Sequence, residues 1–209
     1  MTNIYARCHM VGGMTSDYWA RDPKRLAFVL ARYKFVARMF EGKGRVLEVG
    51  CADGFGSRIV RQHVEALTAI DVDAESIAEA LQAEAGRMPP YWPIEFRAHD
   101  ILAAPLRGFD AVYALDVLEH MDPLTQEQTF LEHLRAAAPV AVIGSPSLES
   151  QVYASELSRA GHVNCRTAES LRDTLRRHWA HVFMFGMNDE VLHCGFGPMC
   201  QYRIALCIG

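Results

Sequence analysis

Asp116, Glu119 and His120 stand close together in the run Asp116-Val117-Leu118-Glu119-His120. If a helical turn passes through it, Asp116 shares a face with Glu119 or His120. Two carboxylates and an imidazole suit a hard or borderline divalent cation such as Mg²⁺ or Mn²⁺. His162, in Ala160-Gly161-His162-Val163-Asn164, offers a second imidazole. Asp116, Glu119, His120 and His162 are therefore the candidate metal ligands. Without a cation the same residues offer acid–base chemistry, because an imidazole titrates near neutrality and accepts a proton. His120 and His162 are the candidate catalytic residues, and a structural role for either competes with that role.

Such groups work only when a scaffold gathers them at one mouth. Val46-Leu47-Glu48-Val49-Gly50-Cys51-Ala52-Asp53-Gly54-Phe55-Gly56 sets a glycine-rich loop after an apolar run and before a helical segment. Glycine lets a main chain turn sharply and lets a ligand approach it. Asp71 ends the next apolar run, Leu67-Thr68-Ala69-Ile70, where a carboxylate can accept from ribose hydroxyls. Asp100 follows a third run, Ile94-Glu95-Phe96-Arg97, and can accept from an adenine amino group. Doubly wound sheets bind ligands at such strand ends.

The rest of the chain alternates in the same way. Asp22-Pro23 reads as a helix start, followed by apolar residues at helical spacing to Phe40. Residues 55–63, 74–85 and 125–137 read as helices, and 109–115 and 140–143 as strands. Pro89-Pro90 breaks the chain. Thr167 caps a helix running to about Trp179. Residues 181–185 and 201–208 are two late strands without a crossover helix, which suggests an antiparallel pair. Alternation of this kind predicts an α/β fold, a parallel sheet with helices on both faces.

Glu48-Val49-Gly50-Cys51-Ala52-Asp53-Gly54-Phe55-Gly56 resembles the first motif of the class I S-adenosylmethionine-dependent methyltransferases. Asp71 matches their ribose-binding acid and His99-Asp100-Ile101 their adenine segment. Phe109-Asp110-Ala111-Val112 and Leu115-Asp116-Val117-Leu118-Glu119-His120 resemble their fourth strand and the loop after it. The resemblance implies a Rossmann-like, doubly wound, seven-stranded sheet of order 3-2-1-4-5-7-6 with strand 7 antiparallel. It implies S-adenosylmethionine as donor, bound by Glu48, Gly50, Asp71, Asp100, Ile101, Leu115 and Asp116. Residues 22–209 form the methyltransferase domain, and 1–21 an N-terminal segment placed to act as a lid. The bacterial small-molecule members set the expectation for the acceptor.

Asp116-x-x-Glu119-His120 also resembles two metal-using branches, the ubiquinone-pathway O-methyltransferases and the small-RNA terminal 2′-O-methyltransferases. Those carry E-x-x-E-H with a later histidine; here the first acid is Asp116, one methylene shorter. Ser145-Pro146 falls where those families have a turn. The expected reaction is methyl transfer to a small polar acceptor, at oxygen, assisted by the cation or by a histidine. RNA-end 2′-O-methylation and a non-catalytic binding domain are the alternatives. A nicotinamide-binding domain fits poorly: its loop is G-x-G-x-x-G, and Glu48 and Asp53 would repel a pyrophosphate.

Remaining features bound the partners. The chain has 209 residues, half of them hydrophobic, and a net charge of −4. That balance disfavours a long nucleic acid, whose affinity comes from Lys and Arg on phosphates. No run is long and apolar enough to span a membrane, and the start, from Met1 to Tyr18, lacks a leader pattern, so a cytoplasmic location is expected. None of the six cysteines forms C-x-x-C, and Cys51 and Cys207 read as reduced core residues. Tyr18 and Trp19 are candidates for acceptor contact or core packing. Arg21, Arg25, Arg32 and Arg38 read as a solvated helix face. Residues 186–199 read as a long loop in which Asn188, Asp189 and His193 shape an acceptor pocket or a homodimer contact.

Overall fold

The computed structural model describes residues 11–85 and 92–209. Pro89-Pro90, Cys8 and the start of the N-terminal segment lie outside the described residues. The order begins α1 (Gly13–Arg21), α2 (Lys24–Met39), β1 (Arg45–Val49), α3 (Ser57–Arg61), β2 (Ala66–Asp71), α4 (Ala74–Ala85) and β3 (Glu95–Ala98). It continues β4 (Ala111–Leu115), α5 (Glu127–Ala137), β5 (Val140–Pro146), α6 (Glu156–Gly161), α7 (Ala168–Leu175), β6 (His181–Asn188), β7 (Val191–His193) and β8 (Tyr202–Ile208).

β4, with the sequence AVYAL, is buried along its whole length. A strand covered on both faces needs apolar side chains at every position. Ala111, Tyr113 and Leu115 point to one core, shared with Val36 of α2, Phe40 just past its end and Val60 of α3. Val112 and Ala114 point to the other, with Phe130, Leu134, Leu171 and Trp179 from the α5 and α7 side. This two-residue alternation is the pleat of the strand. Cys51 and Cys207 lie in these cores as free cysteines, and burial pushes the Cys207 thiol up to about 12.

The sheet has the order β3-β2-β1-β4-β5-β8-β6-β7. β8 runs antiparallel to both β5 and β6, as expected of the late pair. The sheet has eight strands rather than seven. β6 continues to Asn188 and folds back through Asp189, whose φ of 50° is left-handed, to pair with the three-residue β7. Aspartate tolerates that conformation, and a three-residue strand is too short to show a period in sequence. Ser145-Pro146 is the end of β5, paired with Arg203 and Tyr202, and not a turn.

The N-terminal end also departs from expectation. Gly12 caps α1 and is buried against Asp53, where an added Cβ would lie 2.2 Å from the Asp53 Cβ. The first N–H groups of α1 find side-chain acceptors, Gly13 N on Glu79 at 2.7 Å and Thr15 N on Asp53 at 2.8 Å. These long-range partners satisfy donors that a helix start leaves open, a signal that local sequence does not carry. The Asp22 side chain does not cap α2; its carbonyl accepts from Arg25 N at 2.9 Å. Thr167 caps α7 as expected, accepting from Ser170 N. α6 was not anticipated; Ser155 caps it.

Candidate active site

A cavity of about 950 Å³ opens at the carboxyl ends of the parallel strands. Its volume is at the upper end for small-molecule pockets. The β2–β3 half is bordered by Gly50, Ala52, Asp71, Val72, Asp100 and Ile101. The β4–β5 half is bordered by Leu115, Asp116, Glu119, His120, Gln151 and His162, with α1 and α2 contributing Met14, Tyr18, Arg25 and Arg32.

Gly50 has φ of 81°, and a Cβ there would meet Val117 Cγ2 at 2.2 Å. Conformation and space both require glycine at this position. Asp71 ends β2, and its two oxygens accept from Ala52 N at 2.8 Å and Asp73 N at 2.9 Å. Each oxygen keeps a further lone pair, so the carboxylate is fixed in place and can still receive a ligand hydroxyl. Asp100 is held by Leu102 N at 2.8 Å on Oδ1. Ile101 is buried at the cavity wall. The Asp116 N–H donates to Gly144 O at 3.0 Å, so it is already occupied.

Glu48 needs correcting. It is 1% exposed and does not border the cavity. It lies beneath the loop, where the Tyr33 hydroxyl donates to Oε1 at 3.0 Å. Burial pushes its carboxyl up to about 7.

Asp116 also differs from expectation. Both its oxygens face Arg32 Nη1, at 2.9 and 2.7 Å, and the guanidinium lies over the Tyr202 ring, 3.7 Å from its centroid. The Asp116 backbone sits at φ 58°, uncommon for a non-glycine residue. Arg32 thus takes the carboxylate that was expected to bind metal. Glu119, His120 and His162 do come together, with one ligand atom from each within 4.8 Å of the others. His120 Nδ1 is 2.9 Å from Gly161 O, and His162 Nδ1 is 2.9 Å from Gln151 Oε1. With Nδ1–H donating to those oxygens, both Nε2 atoms are free to accept. Glu119 Oε2 is buried with no hydrogen-bond partner among the described residues. Burial, then the Asp116 charge, pushes the Glu119 carboxyl up.

His162 is delivered by a polar anchor. Arg166 Nη2 lies 2.8 and 2.6 Å from the two Glu127 oxygens, and Asn164 Nδ2 donates to Glu127 at 2.7 Å. Asn164 N in turn donates to Glu119 O at 3.0 Å. This network ties the segment after β5 to the segment after β4. Burial, then His120, lowers the His162 pKa and favours its neutral form.

Arg25 and Arg32 were missed as site residues, as were the positioning contacts of Asp53 with Thr15 and of Tyr202 with Arg32. Arg25, Phe28, Val29 and Arg32 are spaced as one face of α2 and all border the cavity, a signal present in the sequence. Tyr18 borders the cavity, whereas Trp19 is 68% exposed and belongs to neither core nor pocket. Asn188 and His193 bond to each other at 2.7 Å, and Asp189 N donates to Gln201 Oε1. Those groups hold their own hairpin and do not border the cavity. No helix among the described residues is long and apolar enough to cross a membrane.

Residues 46–140 match the family described as methyltransferase domain. The ubiquinone biosynthesis O-methyltransferase of Psychrobacter arcticus is 28% identical over 125 residues, 58% of this chain and 48% of that protein. The chain thus spans about half the length of the curated relatives it matches. Among solved structures, the methyltransferase domain of bacterial CtHen1-C superposes with a TM-score of 0.72 at 16% identity, covering 86% of this chain and 98% of that one. The N-methyltransferase NodS from Bradyrhizobium japonicum WM9, in complex with S-adenosyl-L-homocysteine, superposes with a TM-score of 0.64 at 21% identity, covering 91% and 90%.

Proposed function

We propose that this chain is a class I S-adenosylmethionine-dependent methyltransferase, a reading supported by the methyltransferase-domain match and the methyltransferase relatives, and that it moves the donor's methyl group to an oxygen of a small hydroxylated acceptor. The observation that carries this is the convergence of Glu119, His120 and His162 on the cavity that Gly50, Asp71 and Asp100 also border. Asp71 receives the ribose hydroxyls, Asp100 and Ile101 meet the adenine, and the methionine part lies between Gly50 and Leu115-Asp116. The name of the Psychrobacter relative supports oxygen as the acceptor atom.

Methyl transfer from a sulfonium is an in-line displacement, so alignment supplies much of the rate. An oxygen acceptor also has to lose its proton. Glu119, His120 and His162 fit a divalent cation: one buried carboxylate oxygen without a partner, and two imidazoles whose outer nitrogens are fixed by carbonyl oxygens. A cation held there would acidify an acceptor hydroxyl. A second possibility follows from the same geometry: the free Nε2 of His162, kept neutral by burial, takes the proton itself. α1, held by Asp53 and Glu79, lines the cavity with Met14 and Tyr18.

The test is S-adenosylhomocysteine formation with 3,4-dihydroxybenzoate, with and without chelator and with Mg²⁺ or Mn²⁺ restored. Turnover that chelation abolishes and the cation restores supports the cation site. Turnover indifferent to chelation but lost in His162→Gln assigns the proton to the imidazole. Methyl transfer that takes place only on amine acceptors would contradict the oxygen assignment.

A further inference from the structure

Two arginines share the cavity face of α2, and only one has a charge partner. Arg25 and Arg32 stand two turns apart with Phe28 and Val29 between them. Arg32 is neutralised by Asp116. Arg25 lies over the Tyr18 ring, 4.3 Å from its centroid, with no carboxylate at ion-pair distance among the described residues. An aromatic face fixes the plane of a guanidinium without using its N–H donors, so those donors stay available to a ligand.

The other charges on this half of the cavity are accounted for. Asp22 has Lys24 at 3.9 Å, Asp116 has Arg32, and the Glu119 side chain is buried beside His120 and His162. Asp71 and Asp100 belong to the β2–β3 half. Among the described residues, Arg25 is the cavity guanidinium without a carboxylate partner. Arg25 borders the same cavity as His120 and His162.

We propose that Arg25 binds an oxyanion on the acceptor, a carboxylate or a phosphate-type group, with Tyr18 as the platform that orients it. This rests on the methyltransferase function proposed above and narrows the acceptor to a hydroxylated acid. A guanidinium presents a planar fork that matches either group bidentately. The acid seats on Arg25 while its hydroxyl reaches the His120–His162 end.

The experiment is calorimetry in two stages. S-adenosylhomocysteine is titrated first. The saturated protein is then titrated with 3,4-dihydroxybenzoate against its methyl ester, and with phenyl phosphate against phenol. The acids should bind roughly ten-fold or more tightly than their neutral partners, the scale of a hydrogen bond to a charged group. Arg25→Gln should abolish that preference and leave S-adenosylhomocysteine affinity unchanged; Arg25→Lys should keep part of it. Arg25 is exposed on its helix, and thermal melting confirms that the variants fold. The assignment is overturned if wild type binds S-adenosylhomocysteine but treats acid and neutral partner alike. It is overturned if Arg25→Gln loses S-adenosylhomocysteine affinity, which would place Arg25 on the donor's own carboxylate. A salt-sensitive RNA oligonucleotide that binds more tightly than any small acid would overturn it too. Absence of S-adenosylhomocysteine binding in wild type fails the methyltransferase function itself, a distinct result.

Discussion

The hydroxyl and the backbone N–H of Thr15 both donate to the Asp53 carboxylate, at 3.0 and 2.8 Å. Asp53 belongs to the glycine-rich loop and Thr15 to α1, so the two bonds latch the N-terminal helix onto the loop. Hydrogen bonds to a charged acceptor contribute about 1.5–3 kcal/mol each. Asp53→Ala should release α1 and speed S-adenosylhomocysteine dissociation roughly ten-fold or more, as measured by stopped flow. Gly12→Ala should act in the same direction, because its Cβ would occupy the Asp53 side chain's place. Unchanged dissociation in both variants would show that α1 does not retain the ligand.

Glu48 links stability to pH. Its carboxyl stands at about 7 in the folded protein, raised by burial from an ordinary value of 4.5. A raised carboxyl stabilises the fold fully below the unfolded value and loses that contribution as pH rises through the folded one. Stability should therefore fall between about pH 4.5 and 7. Glu48→Gln should flatten that fall and gain on the order of 2–3 kcal/mol over wild type at pH 8. Urea unfolding across this range checks it; parallel pH profiles would contradict it.

Asp116 and Glu119 should behave differently toward a cation. Glu119→Ala and His120→Ala should each remove Mn²⁺ binding, read by electron paramagnetic resonance, and lower kcat by about 10²-fold or more. Asp116→Asn should leave Mn²⁺ stoichiometry unchanged, since its carboxylate is committed to Arg32. Loss of Mn²⁺ in Asp116→Asn would return that residue to the ligand set.

The Glu127–Arg166 pair is mostly buried, with side chains 11% and 19% exposed. Removing one partner of such a pair leaves an uncompensated charge, at a cost of about 3–5 kcal/mol. Glu127→Ala should lower stability by that order and lower kcat as His162 loses its anchor, while S-adenosylhomocysteine affinity holds. A loss of stability with no change in kcat would restrict the network to a structural role.

The places of Gly50, Asp71 and Asp100 at the cavity were legible in sequence, because their signals are local. Gly50 and Asp71 stand at the ends of apolar runs and Asp100 two residues past β3, and a strand fixes where its end points. β7 was not legible, since three residues show no period, and α1 was not, since Asp53 and Glu79 hold its start from far along the chain. Of the expected group Asp116, Glu119, His120 and His162, the structure brings the last three together, whereas the Arg32–Asp116 pairing spans 84 positions and no local pattern announces it. Glu48 was placed at the ligand because its motif position suggested contact, whereas the pleat turns it under the loop toward Tyr33.

The central claim is a donor site built on Asp71, and calorimetric titration with S-adenosylhomocysteine tests it most directly. Wild type should bind one equivalent, and Asp71→Ala should weaken binding roughly ten-fold or more, as expected when charged hydrogen bonds to the ribose are lost. No heat of binding from the folded wild-type protein, or equal affinity in Asp71→Ala, would contradict the account.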